Sequence, residues 1–305
     1  MIKIALAGTS GLAQYIAHYI STQTYHQFFF LSRNPSPALS ARGWQVLPVD
    51  YNNQSDVRYK LVGVDTVIST ISGQAQLSLI DAAAEVHVRR FVPSEFEGSP
   101  LQRPDVDPLD RGQKTALAKL QEKQQLGMEY TIFTCGIFYE RFYPGGMSTL
   151  QLGAGTHISG EGQYILEIRR QTASIPCYPS GDGVYICMTS AEDVARYVVA
   201  ALDLPHWPNE FLLAAERMTI DDIVAAAEVV SGEPFQRQYY DHATLLDSIS
   251  YASATNDTLE YWRLRYLMAT LQGRYDFHRT NLNQLVNIQA KPFFQWLLAA
   301  WSDVA

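Results

Sequence analysis

The chain has 305 residues, of which 47% are hydrophobic and 18% are charged, a balance typical of soluble globular proteins with a sizeable core. Its formal net charge of −8 argues against a nucleic-acid-binding surface, and no apolar run reaches the ~18 residues of a membrane span. Cys135, Cys177 and Cys187 show no CxxC spacing and no signal peptide precedes the first predicted strand, so we expect buried thiols in a cytoplasmic protein.

Six short, mostly apolar runs in the first part of the chain have the composition of buried strands. They span residues 2–7, 28–31, 46–49, 65–71, 90–94 and 130–134. Helical spacing of apolar residues or an alanine-rich composition predicts helices at residues 13–20, 77–86 and 114–126. Because the strands alternate with helices, we expect a parallel sheet that is covered on both faces.

The alternation stops after residue 136, where aromatic residues and glycines dominate as far as Tyr185. Helix starts are predicted at Ser190 and Thr219, each followed three residues later by an aspartate that can complete a cap. The C-terminal third, including residues 293–298, is helix-rich. We therefore expect one domain in residues 1–150 and a smaller region in residues 151–305 that is interleaved with the last strands.

The first strand leads into a glycine turn, Gly8–Ala13, with the sequence GTSGLA. Its two glycines allow a tight turn and a close backbone approach to phosphate, and the helix that follows offers free N–H groups. Ala13 stands where the third glycine of a dinucleotide-binding motif usually lies, and alanine is the accepted substitute there. Directly after the first strand, this turn predicts a pyrophosphate site.

The end of the second strand decides between NAD and NADP. Enzymes that use NAD place Asp or Glu about 20 residues past the turn, where the carboxylate binds the ribose 2′-hydroxyl. Here Ser32 and Arg33 hold that place. A guanidinium can pair with a 2′-phosphate that a carboxylate would repel, so the sequence favours NADP(H) over a merely solvated arginine.

The segment Arg90–Phe96, with the sequence RFVPSEF, resembles the RFxPSEF segment of the isoflavone-reductase-like, NmrA-related atypical short-chain dehydrogenases. Other segments are similar to that family in the same order along the chain. They are the glycine turn, Arg33, Gly63–Ser69 for the family's GVDVVIS, Gln76, Tyr130–Thr131, Cys135–Phe138 and Asp193–Arg196. The resemblance covers roughly residues 1–230, and no motif matches in the rest.

The resemblance implies a Rossmann-type, doubly wound sheet in residues 1–150 that binds NADPH, and a mainly substrate-binding region in residues 151–305. It implies hydride transfer to a small, aromatic or heterocyclic metabolite. From the charge and the hydropathy we expect neither nucleic acid nor a membrane as a partner. The implied cofactor-binding residues are Gly8, Thr9, Ser10, Gly11, Leu12, Arg33, Ser69, Thr70, Pro93, Ser94, Glu95 and Phe96. Whether the protein is a monomer or a homodimer stays open.

Reductases of this family also use a lysine downstream of PSEF, and Lys114 is the best match. Hydride transfer to a carbonyl, imine or conjugated alkene creates a site that needs a proton, which a lysine can supply. Lys114 lies 16 residues before Tyr130, about two more than the family pattern, so Lys119 is the alternative, and a plain surface lysine is the competing interpretation. SEFG has also become Ser94–Gly98, SEFEG, so the nearby loop is remodelled.

None of the 18 tyrosines has a lysine four residues later, so the Tyr-xxx-Lys pair of other short-chain dehydrogenases is absent. Aromatic residues follow the sixth strand, where a substrate pocket is expected, and either line it or pack ordinarily. They are Phe138, Tyr139, Phe142 and Tyr143. Scattered histidines predict no metal site. An NADP-sensing regulator without turnover and a cyclase or isomerase remain alternative functions.

Overall fold

The computed structural model of the protein describes residues 1–302, and the chain divides into two compact units. Unit 1 comprises Met1–Phe96, Asp110–Thr134 and Ala195–Phe211. Unit 2 comprises Glu97–Leu109, Cys135–Val194 and the chain from Leu212 onward. The units alternate along the sequence, and the functional division expected at residue 150 stays a prediction.

The described residues form fourteen β-strands and eleven α-helices. The strands are β1 Lys3–Ala7, β2 Gln27–Ser32, β3 Val46–Pro48, β4 Thr66–Ser69, β5 Arg90–Val92, β6 Glu129–Tyr130, β7 Ile132–Thr134, β8 Ile137–Phe138, β9 Leu166–Glu167, β10 Thr172–Pro176, β11 Tyr185–Thr189, β12 Glu210–Leu212, β13 Glu216–Thr219 and β14 Gln236–Tyr240. The helices are α1 Gly11–Gln23, α2 Pro37–Ser40, α3 Gln54–Leu61, α4 Gln74–Glu85, α5 Gln113–Gln124, α6 Ala191–Ala201, α7 Ile220–Ser231, α8 His242–Ala254, α9 Thr258–Leu271, α10 Asn281–Leu285 and α11 Phe293–Trp301.

A six-stranded parallel sheet with the order β3-β2-β1-β4-β5-β6 forms the centre of unit 1. The strand order reverses at β1, which lies between β2 and β4. This is the order of the Rossmann fold, in which ligands bind beyond the carboxyl ends of the strands at the reversal. The predicted doubly wound parallel sheet is therefore confirmed.

Apolar side chains from both the strands and the helices form the core of unit 1. On α1, Ile16, Ala17 and Ile20 are fully buried, which is the helical spacing that the sequence predicted. The β1 residues Ala5 and Ala7 lie instead in a core cluster with side chains of α3, α4 and α5. The helix α1 packs against β1 and β2, which places its start beside the end of β1.

The last predicted strand, residues 130–134, is divided in the structure. The Thr131 N–H still bonds to the Phe91 carbonyl at 3.2 Å, beside the parallel sheet. The Ile132 N–H instead bonds to the Asn209 carbonyl at 3.0 Å, and β7 pairs with β12. A local pattern predicts that these backbone groups need partners, but it cannot specify a partner that is so distant in the sequence.

Unit 2 contains two three-stranded sheets, β13-β11-β8 and β14-β10-β9. The predicted helix starts are confirmed in it. Thr219 and Asp222 form a capping box at α7, where the Asp222 N–H bonds to Thr219 Oγ1 at 3.0 Å. At α6, the Asp193 N–H bonds to Ser190 Oγ at 3.0 Å. The predicted helix at residues 293–298 is α11, which packs against α7.

Candidate functional site

The turn after β1 requires a glycine at its first position. Gly8 has φ +101°, a conformation that other residues rarely adopt, and a Cβ there would lie 2.4 Å from Thr70 Oγ1. Its N–H bonds to the Leu31 carbonyl at 2.9 Å. Gly8 therefore brings the backbone close to the ends of both neighbouring strands, β2 and β4.

The amino end of α1 follows directly and has the properties of an anion site. Ser10 is the N-cap and accepts the Ala13 N–H at 3.5 Å, while the first turn contains no acidic residue. Gly11 and Leu12, the first helical residues, are buried, and Thr9 is half-buried. Free N–H groups and the helix dipole at this end favour a phosphate. Ala13 is completely buried, as expected of a residue in the close packing at the third glycine position.

The end of β4 is held against the end of β1 by Thr70, which, like Ser69, was predicted to contact the cofactor. The Thr70 N–H and Oγ1 both donate to the Ala7 carbonyl, at 2.8 and 3.0 Å. Ser69 is buried, and its Oγ donates to the Ile71 carbonyl at 3.1 Å. These bonds fix the edge of the sheet next to the glycine turn.

The PSEF segment continues this edge after β5. The Ser94 N–H bonds to Gln76 Oε1 on α4 at 2.7 Å, and Pro93 is buried. Glu95 is only 2% exposed. Phe96 stacks on Phe133 with 6.1 Å between ring centroids. The segment is therefore anchored on a helix and on the aromatic core of unit 1.

Arg33 follows the end of β2 and is exposed. In the part of the chain that the structure describes, it forms no ion pair with a carboxylate, so its charge is available to a ligand. Tyr51 lies within electrostatic reach, and burial raises the pKa of this phenol while Arg33 acts in the opposite direction. The Tyr51 hydroxyl bonds to the Leu31 carbonyl at 3.3 Å. Sequence reasoning missed Tyr51, because it comes from the loop after a different strand.

Lys114 is the second residue of α5 and is exposed. Asp110 accepts its N–H at 3.2 Å and that of Gln113 at 2.8 Å, which caps the helix. Gly112 precedes the helix, and a Cβ there would lie 3.8 Å from Gly73 Cα at the start of α4. The amino ends of α4 and α5 are thus neighbours, at the carboxyl edge of the sheet.

The alternative lysine, Lys119, is engaged elsewhere. Its Nζ lies 2.7 and 2.9 Å from the two carboxylate oxygens of Asp81 on α4. Lys123 shares the same carboxylate at 3.3 Å. Five residues along α5 correspond to about 7.5 Å away from the amino end. Lys119 thus acts as a bridge between two helices.

The predicted aromatic pocket wall needs a correction. Tyr139 is 0% and Phe142 is 3% exposed, and both pack on Phe293 of α11 with centroid distances of 5.1 and 5.5 Å. Tyr139 and Phe142 therefore belong to the core of unit 2, and their burial leaves no surface for a ligand. Phe138 and Tyr143 are half-buried. Aromatic composition alone could not separate core positions from a binding wall.

Glu140 is a buried carboxyl group that sequence reasoning did not single out. Both of its oxygens lie 3.0 Å from the Ala191 N–H at the start of α6. Burial raises the pKa of Glu140 to about 7, and the bond from Ala191 opposes that shift. A single acid inside the aromatic run YERFY gives no sequence signal of such a position.

The cysteines and the remaining polar side chains do not add to the candidate site. Cys135 and Cys187 are buried free thiols as predicted, but Cys177 is only half-buried, so that expectation is wrong for one of the three. Within residues 1–302, no three His, Cys, Asp or Glu side chains are grouped so as to hold a metal ion. No described helix has the length and apolar character needed to cross a membrane.

In unit 1, the structure thus brings most of the predicted cofactor residues to one edge of one sheet. They follow β1, β4 and β5, and Arg33 follows β2. The start of α5 with Lys114 lies at the same edge. The four aromatic candidates belong to unit 2.

The sequence profile of the NmrA-like family matches residues 2–268. The chain belongs to the NmrA-like family. Oxidoreductase BOA1 of Botryotinia fuckeliana (strain B05.10) is 29% identical over 245 residues, which cover 76% of this chain and 77% of the relative. Phenylcoumaran benzylic ether reductase 1 of Arabidopsis thaliana is 27% identical over 269 residues, which cover 81% and 80%. The solved structure of AtPrR2 with NADP+ and (+)pinoresinol matches with a TM-score of 0.74 at 17% identity, covering 98% of each chain.

Membership of the NmrA-like family confirms the resemblance seen in the RFVPSEF segment. The curated relatives are an oxidoreductase and a reductase, which confirms the expected enzyme class. NADP+ is bound by AtPrR2, and at 17% identity this likeness shows a shared Rossmann-type fold alone.

Proposed function

We propose that this protein is an NADPH-dependent reductase that transfers a hydride to a small aromatic or heterocyclic metabolite. One observation carries the proposal. A glycine turn at the start of α1, an arginine without a carboxylate partner among the described residues and the start of α5 with Lys114 all lie at the carboxyl edge of one Rossmann-type sheet.

The glycine turn fits a dinucleotide. The backbone at Gly8 approaches Thr70 so closely that no Cβ can be present, and the first turn of α1 has no acidic residue to repel a phosphate. Thr9, Ser10, Gly11 and Leu12 would hold the pyrophosphate through backbone and hydroxyl groups. Ser69 and Thr70 would border the cofactor at the end of β4.

Arg33 would select the phosphorylated cofactor. Its exposed guanidinium has no carboxylate partner in the described chain, so a 2′-phosphate would supply the missing negative charge. Tyr51 lies within electrostatic reach of this guanidinium, and its hydroxyl donates to the Leu31 carbonyl of β2. NADH lacks the 2′-phosphate, so Arg33 would add nothing to its binding affinity.

NADPH, when bound, supplies the hydride, that is, two electrons and a hydrogen nucleus. The PSEF residues Pro93, Ser94, Glu95 and Phe96 would border the nicotinamide and exclude water from it, since this segment is largely buried and anchored on Gln76. The reduced substrate then needs one proton at its carbonyl oxygen, imine nitrogen or alkene carbon. Lys114 would donate it from Nζ and recover it from water.

The domain roles follow from this assignment. Unit 1 would bind the cofactor, and residues 151–305 would mainly contact substrate, with Phe138 and Tyr143 as the remaining aromatic candidates. We place the enzyme in the cytoplasm because all three cysteines are free thiols, which suits a reducing compartment.

The test is NADPH oxidation with a panel of aromatic carbonyl, imine and conjugated-alkene compounds, together with analysis of the reduced product. Replacing Lys114 by Ala should lower kcat by about 100-fold or more and leave the NADPH Kd within about twofold, because general acids contribute on this scale. The matched control, Lys119→Ala, removes a lysine that pairs with Asp81 and should keep kcat within about threefold.

Two results would contradict the proposal. Tight NADPH binding without oxidation of any compound in the panel would indicate a sensor. Product formation without NADPH oxidation would indicate a cyclase or isomerase.

A further inference from the structure

Unit 2 contains a cavity of about 190 Å³ that none of the predicted site residues lines. Its walls come from the loop between PSEF and α5 and from the helices α8 and α9 with the residues that follow α9. The apolar side chains in the lining include Pro104, Pro108, Leu109, Leu246 and Met268. The polar ones are Gln102, Asp107, His242, Arg265, Gln272 and Arg274.

The loop wall is held in place by a buried arginine. Arg274 is 2% exposed and lies 2.7 Å from Asp107 and 3.0 Å from Glu97, at the two ends of the loop. Burial alone would lower the pKa of Arg274, but the charges of Glu97 and Asp107 outweigh it and the pKa is raised. Asp107 also accepts the Leu109 N–H at 2.9 Å. The charges of Arg274 and Asp107 therefore compensate each other, although Arg274 Nε is buried without a hydrogen-bond acceptor among the described residues.

Arg265 is different. It lines the cavity from α9, and the structure gives it no carboxylate partner in residues 1–302. Its guanidinium carbon lies 5.0 Å from the centroid of the Tyr261 ring. Its Nε is buried without a hydrogen-bond acceptor among the described residues. Because Asp107 is paired with Arg274, the lining keeps one uncompensated positive charge. A guanidinium in this position is stabilised by an anion, and its planar fork matches a carboxylate.

The volume of the cavity and its apolar lining limit the size and polarity of the part of the ligand beyond the carboxylate. A cavity of about 150 Å³ with apolar walls accommodates one benzene molecule. The cavity of about 190 Å³ therefore has room for one ring with one carboxylate. Leu109, Leu246 and Met268 would contact the ring, and His242 and Gln272 add hydrogen-bonding groups at the lining.

We propose that this cavity is a binding site for a small planar carboxylic acid of single-ring size, with the carboxylate paired to Arg265. The site goes beyond hydride transfer and does not depend on it. Its test is a binding measurement without NADPH, so that its failure and the failure of the reductase proposal are separate outcomes.

Benzoate is the probe, and isothermal titration or ligand-observed NMR measures its binding to the full chain. Benzoate should bind saturably, and benzamide, which has the same shape without the charge, should bind at least about 10-fold more weakly. The variant Arg265→Gln should weaken benzoate at least about 10-fold, whereas Arg279→Gln, an exposed arginine outside the lining, should leave it within about twofold.

A second variant covers the case in which Arg265→Gln does not fold. Leu246 is 45% exposed and lines the cavity, so Leu246→Trp can fill it from the surface and should also weaken benzoate at least about 10-fold. Equal affinity for benzoate and benzamide overturns the proposal. So does unchanged binding in a folded Arg265→Gln or in Leu246→Trp, binding of inorganic phosphate but not benzoate, or no saturation by about 20 mM benzoate.

Discussion

At the scale of single residues, the sequence predicts a residue's role where that role depends on its neighbours in the chain. Gly8 begins the turn after β1, and its place there was predicted from the spacing of the glycine motif. Tyr51 could not be found in this way, because its place beside Arg33 depends on the pairing of β2 with β3. Tyr139 was misplaced because its packing partner, Phe293, is more than 150 residues away.

The first prediction at this scale concerns Gly8. Gly8→Ala should weaken NADPH binding at least about 10-fold and lower the free energy of unfolding by about 1–3 kcal/mol, because the added Cβ meets Thr70 in a left-handed turn. Gly43→Ala is the control, since Gly43 has φ +78° but open space around its Cβ position. NADPH titration and urea unfolding measure both. Equal NADPH affinity in the two variants would refute the role of the turn.

The second prediction concerns Glu140, whose pKa is raised to about 7 by burial. The folded protein then binds a proton more tightly than the unfolded chain, where an ordinary glutamate has a pKa near ~4.3, so wild-type stability should fall as the pH rises between these values. From pH about 5 to about 7.5, the loss relative to Glu140→Gln should be about 2 kcal/mol.

Urea unfolding of wild type and Glu140→Gln at both pH values measures this loss. The variant keeps an amide oxygen that can accept the Ala191 N–H, so the comparison isolates the charge. A stability difference between the two proteins that does not change with pH would show that Glu140 is ionised in the folded state throughout this range.

At the scale of elements, the strands and helices of unit 1 were predicted because their hydrophobic periodicity is strong and local. The structure assigns β2 to Gln27–Ser32 and α4 to Gln74–Glu85, close to the predicted spans. The strand at 130–134 was only partly right, because the backbone partner of Ile132 is set by tertiary structure. The loop that begins at Glu97 had no predictable shape, since a buried ion pair with Arg274 determines it.

At the scale of the whole molecule, the sequence supported the family, the fold class and the order of the cofactor segments, because these depend on motifs in chain order. It suggested that the second region is interleaved with the last strands, but it could not indicate the bounds of the alternating segments or the cavity lined by Arg265. Both arise from residues that are far apart in the sequence, such as Leu109 and Met268. The proposed reductase function is argued mainly from the residues of unit 1.

The most direct test of that function is calorimetric titration of wild type and Arg33→Ala with NADPH and with NADH. Arg58→Ala, which removes a half-buried arginine of unit 1 that pairs with Glu85, is the control for loss of a positive charge. Wild type should bind NADPH at least about 10-fold more tightly than NADH, and Arg33→Ala should lose at least about 10-fold for NADPH and less than about twofold for NADH. Equal losses for the two cofactors, or no preference in wild type, would contradict the account.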